Sequence, residues 1–240
     1  MSNNDIIYET LITGDIILFG YNNSIISNLV QIATSSVWTH IGIVIKNPDF
    51  LINSEGITDG LFLLNSDGQY EKDIETNEPK FGVQLVDLRK KIENYDGLIV
   101  ARHLLKINET HTIIENKKRN EMFTTAYQSI FGKSYDYIPL NILITIFHSR
   151  GYEFADNWIN NRHTDYLFCS AMVTYIYTIT GIMDKHTKWS LYTPDFFSQN
   201  CDEFLTLNNY VLSPLLTIKD TRNKTDDNEQ NKSSYFCIIC

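Results

Sequence analysis

HIGIVI, residues 40–45, is a continuous and mostly β-branched run, and Asn47-Pro48-Asp49 stops it, so it reads as a buried strand with a histidine at its head. Working outward, GDIILFG at 14–20 is a second short apolar run bounded by glycines. Ile25, Ile26, Leu29, Val30 and Ile32 between them fall at roughly helical spacing, which predicts a short helix over Ser24–Ala33. On the other side, Phe50–Glu55 reads as the hairpin partner of the His40 strand and ends at Gly56. Leu61 to Pro79 mixes a short apolar run with polar and acidic residues and reads as an insertion or a long hairpin. Gly82–Leu88 and Gly97–Leu105 are two more strand candidates, the latter containing GLIVARHL. Short strands with tight connections predict an α+β fold with a curled, largely antiparallel sheet rather than βαβ units.

Two helices stand out further on. Ile113, Ile114, Met122, Phe123, Ala126, Tyr127, Ile130 and Phe131 predict one from about Glu109 to Phe131, with Gly132 at a natural C′ position. After an aromatic loop, KSYDYIPL, the segment Phe168–Thr180 alternates small and apolar residues and ends at Gly181. It reads as a buried helix with Cys169 in its first turn, and Pro194 opens a further helical turn. From Asp220 to Ser234 apolar residues almost vanish, so residues 220–240 are expected to be a disordered tail behind one domain of residues 1–219. No internal repeat emerges from this reading.

The chain has 240 residues, 43% of them hydrophobic, which suits one core. Its net charge of −9 argues against nucleic acid as a partner, because phosphate contacts need Lys and Arg. The amino terminus carries Asp and Glu where a signal peptide needs an apolar run, and no segment has the length of a membrane span. A cytoplasmic location is the expectation. Four scattered cysteines do not make a disulfide scaffold.

A thiol becomes nucleophilic when a base or a positive field favours its thiolate, and a helix N-terminus supplies such a field. Cys169 is so placed, and His40, at the head of a strand, is the best situated of the six histidines to serve as its base. His103 also lies in a strand, but its sequence neighbours offer no polar third member. Glu55, at the end of the strand expected to pair with the His40 strand, could fix the imidazole tautomer across that hairpin. Each residue has a plainer reading: Cys169 as a small buried hydrophobe, His40 as an ordinary strand histidine, Glu55 as a solvated turn residue. Asp15 reads first as a turn or cap residue. Trp38 is either a wall of the substrate pocket or a half-buried structural aromatic. The remaining histidines have no compact ligand spacing, so no metal is expected.

The ordered series GDIILF, WTHIGIVI, a glutamate in the next strand, GLIVARHL, FGKSYDY, FCSAMVTYIY and YTPDFF resembles the circularly permuted NlpC-type papain-like cysteine peptidases, in particular the YiiX-like bacterial proteins and their poxvirus relatives. The lecithin retinol acyltransferase-like proteins are more distant members of that branch. The resemblance implies a permuted papain-like fold with the nucleophile Cys169 at a helix N-terminus, His40 as base, Glu55 as orienter and Asp15 as a recurring residue near the site. It implies a thiol hydrolase or acyltransferase without cofactor, acting on a peptide, lipid or other small-molecule amide, ester or thioester. With an acidic chain and no export signal, a lipid or an intracellular protein conjugate is favoured over cell-wall peptides. If the source is a virus, the virion is a further expected location.

A binding module that holds a lipid or amino-acid ligand on the same fold, with little or no turnover, is the alternative. Finally, Cys237-Ile238-Ile239-Cys240 has the form of a C-a-a-X prenylation signal, although a terminal Cys is outside the usual set. A single isoprenoid on Cys237 would give only weak, reversible membrane association.

Overall fold

The computed structural model describes residues 3–21, 36–53, 56–57, 59–108, 113–134 and 167–222. The helix expected over Ser24–Ala33, most of the KSYDYIPL loop, Glu55 and the tail with Cys237 lie outside them. The elements are α1 (Asn3–Thr10), β1 (Ile16–Gly20), β2 (Trp38–Lys46), β3 (Ile52–Asn53), β4 (Gly56–Ile57), β5 (Leu61–Lys72), β6 (Pro79–Asp87), α2 (Leu88–Asn94), β7 (Leu98–Arg102), β8 (Leu104–Lys106), α3 (Ile113–Ile130), α4 (Cys169–Ile179), β9 (Tyr210–Leu212) and β10 (Leu216–Asp220). A short 3-10 turn at Pro194–Phe197 stands where a helical turn was expected.

Six strands form one antiparallel sheet in the order β10-β7-β1-β2-β5-β6, so the α+β reading holds. Strand alternation sorts its side chains into two cores. Ile16, Leu18, Ile41, Ile43, Ile45, Phe62, Leu64, Val83, Leu85, Leu98 and Val100 face α3 and α4. Ile17, Phe19, Val44, Leu63, Val86, Ile99 and Ala101 face Tyr8 and Leu11 at α1 and Leu88 and Ile92 of α2.

One expected pairing is overturned. β2 pairs with β1 and β5, whereas Ile52 and Asn53 pair with Ile57 and Gly56 in a separate two-stranded ribbon. The neighbour of the His40 strand is therefore the segment Leu61–Lys72, read from sequence as an insertion or long hairpin; it is the first arm of the long β5–β6 hairpin.

Gly97 sits at φ +148, where a Cβ would collide with the carbonyl oxygen of Gly20, so the chain can approach β1 here only without a side chain. Its N–H donates to Thr221 Oγ1 at 2.8 Å and its carbonyl accepts from Thr221 N–H at 3.1 Å, so the ordered chain continues past β10.

Candidate functional site

Cys169 opens α4, with Phe168 as its N-cap in an extended conformation and no side-chain cap. The segment before it is pinned from two sides: Ser66 of β5 donates its hydroxyl to the Leu167 carbonyl, and Leu167 N–H donates to Ser134 O at 3.1 Å. All but three residues of α4 are buried, which its small and apolar sequence allows, and the helix packs on β2 and β5. The main-chain N–H groups of Ile41, of Ser170 and of Cys169 itself act on the thiol in the direction of the thiolate. These amides favour the thiolate, yet burial outweighs them and, with the Asp67 charge, pushes the thiol up to about 12.

The thiol thus meets the β2 main chain one residue from His40. The imidazole leaves the strand on the other side: Phe19, directly opposite His40 in β1, belongs to the α2-side core, and the two rings pack with centroids 5.5 Å apart. No hydrogen bond joins ring and thiol among the described residues. The β1–β2 register shifts here, with Phe19 opposite His40 and Gly20 opposite Trp38, so Thr39 is an extra residue of the kind that re-aims a strand's side chains.

His40 Nε2 faces β5. The register that sets Ile43 opposite Leu64, carried three residues on, brings His40 opposite Asp67. Asp67 Oδ2 is 3.9 Å from Nε2 and Asn65 Nδ2 is 3.4 Å from it. Lys91 of α2 joins Asp67 at 3.0 Å and Glu71 at 2.6 Å. Burial works against the Lys91 ammonium, but the two carboxylates outweigh it and hold its pKa raised. His40 is drawn down to about 4, chiefly by burial, with Asp67 opposing and Lys91 reinforcing the fall. Imidazole and thiol are both neutral at pH 7.

That shift has a thermodynamic consequence. Between the unfolded value of 6.5 and the folded value of about 4, the unfolded chain binds more protons at position 40 than the folded one, so stability falls as pH falls through that window. The contribution is roughly 3 kcal/mol in all. Urea unfolding at pH 7 and pH 4 should therefore show a smaller acid loss for His40→Gln than for the wild type, by up to that amount.

Asp67 was missed in the sequence, although a signal for it was present. FLINSEG at 50–56 and FLLNSDG at 62–68 are near copies, and the second places Asp67 where the first has Glu55. Glu55 itself lies outside the described residues.

The other expected site residues have structural partners. Asp15 is fully buried; its Oδ2 accepts from Ile12 N–H at 3.0 Å and meets His103 Nδ1 at 2.7 Å, and its Oδ1 accepts from Leu104 N–H at 2.9 Å. This supplies His103 with the polar partner that its sequence neighbours lack. Trp38 is buried in the α4-side core with Cys169, and its N–H donates to Ser36 Oγ, which in turn donates to Asp195 at 2.7 Å. Asp195 comes from the TPDFF segment, so that motif ties down the start of β2.

Among the described residues no three His, Cys, Asp or Glu side chains group so as to hold a metal ion, and no helix is long and apolar enough to cross a membrane. No protein-family model matches the sequence, and no curated protein does. Among solved structures, the fold is similar to the crystal structure of the metalloprotein YiiX, DUF1105, from Escherichia coli O157:H7, with a TM-score of 0.42 and 16% identity over 87% of this chain and 97% of that one.

Proposed function

We propose that the chain is a cysteine hydrolase or acyltransferase of the permuted papain-like type, with Cys169 as nucleophile and His40 as base. The observation that carries this reading is the place of Cys169 as the first residue of a buried helix with no side-chain cap, where the neighbouring main-chain N–H groups favour its thiolate. Such a setting suits an anion.

In the proposed reaction the His40 ring turns toward the thiol at the Thr39 bulge and takes the proton on Nδ1, the nitrogen without a hydrogen bond among the described residues. The thiolate then attacks the carbonyl carbon of an amide, ester or thioester. Collapse of the oxyanion expels the leaving group, which takes the proton back from the imidazolium. Water or an acceptor, deprotonated by His40, cleaves the acyl-enzyme thioester and restores the thiol.

Intact mass spectrometry after exposure to a panel of acyl probes tests the assignment. One adduct, on Cys169, is expected. Complete absence of an adduct, under conditions that label the unfolded chain, would sink it.

The binding-module reading keeps one observation in its favour, the neutral thiol raised to about 12. Iodoacetamide at pH 7 separates the two. Alkylation of Cys169 that an acyl ligand accelerates supports the enzyme. Alkylation at least ~100-fold slower than in the unfolded chain, and unmoved by any ligand, supports the binding module, since a thiolate fraction falls tenfold for each unit of raised pKa.

A further inference from the structure

We propose that Asp67, seated by Lys91 and helped by Asn65, is the positioning carboxylate of His40, in place of Glu55. The inference deepens the Cys–His reading and rests on it for its catalytic meaning, but the contact itself stands on separate observations.

The first is pairing. β5 is the strand beside β2, whereas Ile52 and Asn53 pair elsewhere, and the β2–β5 register, carried three residues past Ile43 and Leu64, brings Asp67 opposite His40. Cross-strand opposites on one face are the nearest neighbours a sheet provides. The second is the chain's near duplication. FLINSEG and FLLNSDG carry the same small polar residues before an acid and a glycine, so either copy could present a carboxylate to β2, and among the described residues the second is the one that does.

The third is the way Asp67 is held. Lys91 bridges Asp67 and Glu71 from α2, and this ion pair fixes the carboxylate on the sheet surface near Nε2. The fourth is Asn65, fully buried, whose Nδ2 lies 3.4 Å from Nε2 while its Oδ1 makes no hydrogen bond. With Nδ1 as the base, Nε2 carries the hydrogen of the neutral ring, and a half-turn of the amide brings the unused oxygen to accept from it, so Asn65 can hold the tautomer that the reaction needs.

Among the described residues the charged and titratable groups on the ring's side of the sheet are few: β5 contributes Asp67 and Glu71, α2 contributes Lys91 and the residue after α2 contributes Tyr95, while β1 offers Phe19. Glu71 is already taken up by Lys91, which leaves Asp67 as the carboxylate nearest to Nε2 among the described residues.

The experiment is an NMR titration of the His40 ring in the full chain carrying Cys169→Ser, repeated with Asp67→Asn, Lys91→Met and Glu55→Gln. Working without the thiol separates this proposal from the thiol assignment: failure of the acyl probes to label Cys169 would end the latter and leave the titration interpretable. Asp67→Asn should keep His40 neutral to the lowest pH at which the protein stays folded. Lys91→Met should raise the ring's proton affinity at least threefold, because it removes a repelling ammonium and frees Asp67 to act on the ring. Glu55→Gln should change it by less than twofold. The Lys91 variant keeps the test decisive if Asp67→Asn folds poorly. A Glu55→Gln effect as large as either of the others, or an unchanged midpoint in both Asp67→Asn and Lys91→Met, overturns the proposal.

Discussion

Cys169→Ala is expected to take turnover of an acyl substrate to background, a loss of ~1,000-fold or more, while the protein stays folded. The bond to the acyl group is made by sulfur, and a methyl group cannot make it. The fold should tolerate the change because the α4 N-terminus is held by Ser66 and Ser134 through Leu167 and not through the thiol. His40→Ala should be of similar severity, and the double variant should lose little beyond either single one, since members of one catalytic unit are strongly non-additive. Losses that multiply would mean that the two residues serve separate functions, an outcome with some force here because ring and thiol approach β2 from different sides. Steady-state kinetics on the substrate class found with acyl probes, alongside circular dichroism of each variant, supplies the measurement.

The second large effect concerns stability. Asp15→Ala should cost about 3–5 kcal/mol, because it leaves two main-chain N–H groups and the His103 ring without their acceptor inside the protein. Arg119 would also lose the carboxylate 4.0 Å from its guanidinium. Asp15→Asn keeps the volume and one acceptor, so it should fall between the wild type and alanine. Guanidinium unfolding gives the comparison, and an alanine variant within 1 kcal/mol of wild type would show that water replaces the carboxylate at no cost.

The reading of the individual elements from sequence went further than the reading of their partners. HIGIVI and Phe168–Thr180 are legible because a β-branched run and a small-apolar run each satisfy one periodicity and have clear stops. What failed was the assumption that the nearest downstream apolar segment pairs with the His40 strand. Phe50–Glu55 and Phe62–Asp67 are almost the same sequence, so composition alone cannot choose between them; in the structure Ile52 and Asn53 of the first pair with Ile57 and Gly56, and the second extends into a long hairpin with β6. β10, LTIKD, was not among the strands read from sequence, and it is an edge strand with an exposed face. Arg102, which the sequence reading did not single out, is fully buried and bonds Phe197, Asp202, Leu212 and Ser213. Long-range partners of this kind leave no trace in local periodicity.

The position of β7 between β1 and β10 also sets an order of events during synthesis. β1 is made long before β7 and can receive it at once, but the other edge of β7 stays open until residues 216–220 have left the ribosome. In that interval the nascent chain presents a strand of wholly buried type, LIVAR, with a row of unsatisfied main-chain groups along it. The Arg102 guanidinium, at the end of the same strand, waits for partners that all lie between Phe197 and Ser213. More than a hundred residues separate the two sides of the β7–β10 seam, and loop closure over such a distance is slow. Until the last strand arrives, the unfinished polypeptide thus carries an open strand edge that only β10 of its own chain can close.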